Sequence, residues 1–190
     1  MYWCKSISKN YLITGVLLLL GGLYACDKPQ IKETGAELKY FDLKGFFKAD
    51  SARLAKLNPM INKTVDHNGE KESKQLHIAN WGAEFNLFKE SDINKPSWRN
   101  SYSVQQNADS TVYKARYPEL KTRQIIIRKT SGKITSVTIY NSTHNFLYST
   151  TERLVYAPDA YYYIEKDQHI KLIGNNNYRI KANFSGAQQQ

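Results

Sequence analysis

From Tyr102 onward the chain falls into short apolar or alternating runs separated by turn residues, and this rhythm constrains the fold more than any other feature. The runs read "YSVQQ", "TVYKARY", "TRQIIIRK", "ITSVTIYN", "FLYSTTERLVY", "YYYIEKDQHIKLIG" and "YRIKANF". Alternation with a period of two marks a strand that turns one face to a core and the other to water. The interruptions at Asn107 to Ser110, Pro118-Glu119, Ser131-Gly132, Ser142 to Asn145, Ala157 to Asp159 and Gly174 to Asn177 are too short for crossover helices. They join antiparallel neighbours. The implied unit is a meander of about six to seven strands, curved by its own twist.

Such a sheet needs an apolar layer on its inner face, and the upstream sequence supplies it. In "ELKYFDLKGFFKADSARLAKLNP" the residues Leu43, Phe46, Phe47, Leu54 and Leu57 recur at helical spacing, with Phe46 and Phe47 as core anchors. Asn58-Pro59 stops the helix, because the residue before proline is pushed out of the helical region. In "INKTVDHNGEKESKQLHI" the Asn68-Gly69 pair predicts a two-residue hairpin, since both central positions of the favoured turn need positive φ. Its polar arms belong at a sheet edge. A second helix is expected in "NWGAEFNLFKES", capped by Asn80, with Glu84 in its first turn and Trp81, Phe85 and Phe88 on one side. In "FKESDINKPSWRNSY" Asp92 and Asn94 are placed to bond neighbouring backbone groups, Pro96 forbids continuation and Trp98 is placed to pin the loop on the core. The fold class is therefore α+β: two N-terminal helices packed on a curved antiparallel meander sheet, with an edge hairpin.

The first residues follow a different logic. Lys5 and Lys9 precede an uncharged stretch that runs to Asp27 and is interrupted by Asn10, Thr14 and Gly21-Gly22. Its continuous apolar part is shorter than the ~20 residues a membrane-spanning helix needs, so it reads as a secretory signal. The segment "LYAC", Leu23 to Cys26, resembles the lipobox of bacterial lipoproteins. That resemblance implies cleavage before Cys26, diacylation of its sulfur and acylation of its nitrogen, palmitate being one such chain. The expected organisation is a signal peptide over 1–25, a tether over 26–37, one domain over 38–184 and a frayed tail over 185–190. Cys4 leaves with the signal, so no internal disulfide can form in the exported chain. Core packing alone must hold the domain.

Composition adds a charge argument. The chain carries 27 Lys and Arg against 17 Asp and Glu, a formal net charge of +10. From Leu120 to Thr151 there is no acid, while Lys121, Arg123, Arg128, Lys129 and Lys133 crowd the first half of that stretch. A basic surface at a membrane attracts anionic lipid or polysaccharide. Export and the lack of any recognition motif argue against nucleic acid, which is not expected as a partner. A second feature is the tyrosines: Tyr161 and Tyr163 share one sheet face with Tyr162 on the other, and Tyr148 and Tyr156 share a face of the preceding run. Such rings suit either a half-wet sheet surface or a recognition platform.

Chemistry is harder to find. His67, His77, His144 and His169 lie at no metal-ligand spacing, and no nucleophile elbow, P-loop or dinucleotide fingerprint occurs. No cofactor and no metal are expected. Glu84, Glu90, Asp92, Glu152 and Glu165 qualify as an acidic hydrolytic pair only if the fold gathers them.

The order "YFDLKGFF", "NKTVDHNGEKESK", "FKESDINKPSW", "YKAR" and "LKTRQIIIRK" resembles a family of small bacterial envelope lipoproteins of unassigned function. The resemblance implies a lipid-anchored, envelope-located single domain and brings no catalytic residues; apart from the resemblance, the outer membrane is the expected location. Three functions are thus on the table. The leading one is a non-enzymatic lipoprotein that binds a partner protein or envelope polymer through a basic, Tyr-rich sheet face carrying Arg123, Arg128, Lys129, Tyr148, Tyr156, Tyr161 and Tyr163. The alternative is a carrier holding a lipid or other apolar ligand inside a half-barrel. The third is a hydrolase with an acidic site.

Overall fold

The structure is a computed structural model that describes residues 38–185. The expected signal segment, Cys26, the expected tether and the tail beyond Ser185 lie outside the described residues. Among the described residues no helix is long and apolar enough to cross a membrane.

One antiparallel sheet of nine strands dominates, in the order β2-β1-β9-β8-β7-β6-β5-β4-β3. The strands are β1 (Met60–His67), β2 (Glu70–His77), β3 (Tyr102–Gln106), β4 (Ser110–Ala115), β5 (Thr122–Thr130), β6 (Lys133–His144), β7 (Tyr148–Ala157), β8 (Tyr161–Ile170) and β9 (Gly174–Phe184). The expected six to seven strands with an edge hairpin are thus corrected to one continuous nine-stranded sheet. The hairpin joins it because β1 pairs antiparallel with β9, Ile61 opposite Phe184. Asn68 and Gly69 form the foreseen turn, at φ +52° and +94°.

The helical part is α1 (Leu43–Leu57), α2 (Trp81–Glu84), α3 (Asn86–Glu90) and a 3-10 turn, Pro96–Trp98. The Asp42 side chain caps α1 by accepting from Gly45 N, and Asn58 ends it in the left-handed region. Leu43, Phe47 and Leu54 are buried, Phe46 is partly buried, and Leu57 faces solvent rather than the core. Asn80 caps the second helix as expected, but that helix is two short pieces broken at Phe85. Gly82 weakens its first turn, yet its aromatics stay in contact, Trp81 with Phe85 and Phe85 with Phe88. Trp81 stacks on Phe184 of β9, while Phe85 and Phe88 meet Tyr156 of β7.

Register sorts the inner face into rows. Lys63, Ala182, Tyr162, Tyr156, Val137 and Ile127 form one row, and Val65, Ile180, Ile164, Leu154, Ile139 and Ile125 the next. These two rows and the helices enclose the core, which Phe47, Trp81, Phe85, Phe88, Tyr156 and Tyr162 fill. Asn94 ties the segment before α1 to the loop after α3. It accepts from Tyr40 N at 3.0 Å and donates to Phe41 O at 2.9 Å. Trp98 packs against the core edge.

The third row, His67, Tyr178, Lys166, Glu152, Asn141 and Thr122, is polar. Beyond it the long strands β6 to β9 run on to two neighbouring hairpin tips.

Candidate docking surface

The sequence-derived binding residues do not meet. Tyr156 is wholly buried on the helix side, where its hydroxyl donates to Asp50 of α1. It is a core residue, not part of a surface, because the alternation that places Tyr148 on the same face also carries Tyr156 under α1. Tyr161 and Tyr163 lie on the opposite face from Tyr148 and Tyr156. One platform cannot contain all four. Arg123 sits in a bulge between Thr122 and Gln124, and its guanidinium donates to Tyr117 O at 2.6 Å. Arg128 is exposed on the outer face; Lys129 is partly buried. The three cations are therefore separate.

The outer face is instead a solvated charge ladder. Arg153, Glu165, Arg179, Asp66 and Lys71 stand in consecutive register. Their signs alternate, and Arg179 reaches Glu165 at 3.0 Å and Asp167 at 3.7 Å. Pairs of this kind contribute little stability and offer no net field.

The acids do not converge either. Glu84 is held by Lys63 at 2.6 Å and by the Tyr162 hydroxyl at 2.5 Å. Glu90 accepts from Asn86, and Glu165 belongs to the outer ladder. Asp92 accepts from Asn94 at 3.3 Å, and burial pushes its carboxyl above the usual range. Glu152 is buried, accepts from Asn141 at 3.0 Å and faces Lys166 and Lys121 at 3.5 and 3.9 Å. Among the described residues no group of three or more His, Cys, Asp or Glu is placed to hold a metal ion.

What the structure does bring together lies at the tips of the β6–β7 and β8–β9 hairpins. Phe146, Leu147, Leu172 and Ile173 are 80%, 63%, 103% and 81% exposed. The two tips touch: Lys171 N donates to Leu147 O at 2.9 Å, and Lys171 Nζ stands 4.0 Å from the centre of the Phe146 ring. Leucine at full exposure gains nothing from the core.

Local chemistry builds each tip. Asn145 Oδ1 accepts from Leu147 N at 2.8 Å and Tyr148 N at 2.9 Å, and Asn145 N donates to Tyr148 O. In the second tip Ile173 N donates to Ile170 O, closing a turn whose third residue is Leu172 at φ +82°. Glycine normally fills such a position, and a bulky residue there is strained. A strained backbone presenting a fully exposed leucine has no account in folding stability. It points to use.

Sequence reasoning absorbed these residues into strands, Phe146 and Leu147 at the head of "FLYSTTERLVY" and Leu172 and Ile173 at the foot of "YYYIEKDQHIKLIG". The one available signal was length, because the second run outgrows its antiparallel partner. No family model, curated protein or solved structure matches the chain. The reading rests on geometry.

Proposed function

We propose that this chain is a lipid-anchored protein of the bacterial envelope that acts by binding, and that the paired hairpin tips are its docking surface. The single observation that carries this is the cluster of Phe146, Leu147, Leu172 and Ile173, four large apolar side chains exposed side by side at contacting turns. Turns are ordinarily polar, and an apolar cluster of this kind on an otherwise charged surface marks an interaction site. Anchoring through Cys26 follows from the lipobox-like "LYAC". The space a carrier would keep open under the helices is filled by Phe47, Phe85, Phe88 and Trp81. The five candidate acids lie in different surroundings, so a hydrolytic pair has no support.

The test uses the chain from residue 26 onward with Cys26→Ser, which contains the whole core but no lipid. Retention on envelope fractions is compared with that of Leu172→Ser combined with Ile173→Ser, and of Arg123→Ser combined with Arg128→Ser and Lys129→Ser. Loss confined to the tip variant supports the proposal. Full retention of the tip variant overturns it.

A further inference from the structure

We infer that the occupant of the tip surface is a bilayer with anionic headgroups, into which the two hairpin tips insert as a wedge. This rests on the docking role proposed for the tips and names their partner.

Four observations carry it. The first is shape. Leu172 is 103% exposed and Ile173 81%, so neither lies in a packed recess of the kind that surrounds the dominant residues of a protein interface. A bilayer asks only for protruding apolar groups.

The second is backbone satisfaction. Inserted backbone must bond internally, because lipid offers no partners. Asn145, Leu147, Tyr148, Lys171 and Ile173 donate their backbone N–H groups inside the tips, which leaves just those of Phe146 and Leu172 without such a bond among the tip residues.

The third is charge placement. Lys171 lies between the apolar pairs with its ammonium over Phe146, able to extend toward headgroups while its stem stays apolar. Tyr148 sits exposed at the base of the first tip, where an amphipathic ring suits the membrane interface. Neither the stretch from Leu120 to Thr151 nor anything after Asp167 contains an acid. The tips themselves, from Asn145 to Tyr148 and from Lys171 to Ile173, therefore present no acid to an anionic surface; the nearest acids on these hairpins are Glu152 and Asp167, further along β7 and β8.

The fourth is attachment. Residues 26–37 separate the acceptor cysteine from the described domain, and extended chain of that length reaches at most about 40 Å. Two weak attachments to one surface act together where a single one is marginal.

The experiment is co-sedimentation of the Cys26→Ser chain, starting at residue 26, with vesicles of phosphatidylcholine alone and of phosphatidylcholine mixed with phosphatidylglycerol. The expected result is binding that is stronger on the anionic vesicles, reduced at least tenfold by Leu172→Ser with Ile173→Ser. Lys171→Gln should remove most of the anionic preference. All the changed side chains are exposed, and an unchanged circular dichroism spectrum and unfolding midpoint confirm that the variants fold. Absence of wild-type binding to both vesicles overturns the lipid assignment, as does equal binding of the tip variant. If the tips are still needed for retention on envelope fractions while vesicles fail, docking stands and the partner is a protein. If retention survives the tip variant, docking itself falls.

Discussion

Tyr156 and Tyr162 stand directly opposite each other on β7 and β8, and each donates its phenolic hydrogen to a helix carboxylate, Tyr156 to Asp50 and Tyr162 to Glu84. Each carboxylate also meets a cation, Arg53 at 2.5 Å for Asp50 and Lys63 at 2.6 Å for Glu84. Neighbouring tyrosines thus clasp α1 and α2 to one place on the sheet. Bonds to charged groups contribute about 1.5–3 kcal/mol each. Tyr156→Phe and Tyr162→Phe should each lower unfolding stability by that amount in urea titrations, and Tyr156→Phe should add little once Asp50→Asn is present. A loss below ~0.5 kcal/mol from both single changes would remove the clasp from the account.

The same tyrosines set an alkaline limit. Burial first, and then the carboxylate partner, push both phenols above their ordinary value. Once pH exceeds about 10 the unfolded chain releases these protons while the folded chain keeps them. Stability must therefore fall as pH rises, by ~1.4 kcal/mol per pH unit for each tyrosine, until the folded-state values are passed. Urea midpoints measured from neutral pH upward should hold level and then drop above about 10, and the drop should be shallower in the two phenylalanine variants.

The polar row is a second support of the fold. Asn141 donates to Ser91 Oγ at 2.9 Å and to Glu152 at 3.0 Å, and Thr122 donates to Ser91 O at 3.1 Å. Asn141→Leu strips Glu152 of its closest partner while leaving it buried, so it should cost about 1–3 kcal/mol. Thermal unfolding reads this directly.

Leu172 separates stability from use. It occupies φ +82° and touches no core. Leu172→Gly relieves a backbone cost of about 1–2 kcal/mol, offset in part by the greater freedom of glycine in the unfolded chain. The variant should be as stable as the wild type or up to ~1 kcal/mol more stable, yet weaker in vesicle binding. Destabilisation would mean that the side chain serves the fold.

These cases also show what the sequence could carry. Periodicity placed Phe47, Trp81, Phe85 and Phe88 on the buried side, and the Asn68-Gly69 turn was legible because only a few residue types tolerate its dihedrals. The pairing of β1 with β9 was not, since no local pattern encodes a contact between the two ends of a domain. Tyr156 looked like a surface residue because tyrosine serves both environments, and only its burial beneath α1 decides between them. Asn94 was read as a local turn-former bonding neighbouring backbone groups, whereas its backbone partners are Tyr40 and Phe41, far away in the chain, and its one local partner is the Asp92 side chain. The tips escaped for the opposite reason: Phe146, Leu147, Leu172 and Ile173 have strand propensities, and the register that expels them from the strands is set by pairings elsewhere.

Membrane insertion of the tips can be observed residue by residue, because the chain from residue 26 with Cys26→Ser contains no cysteine. Leu147→Cys carrying an environment-sensitive fluorophore reports on the tip, and Asn107→Cys, in the turn between β3 and β4, serves as the control. On addition of vesicles containing phosphatidylglycerol, the account predicts a blue shift and increased emission at position 147 and no change at 107. An unchanged spectrum at 147, or equal shifts at both positions, would contradict it.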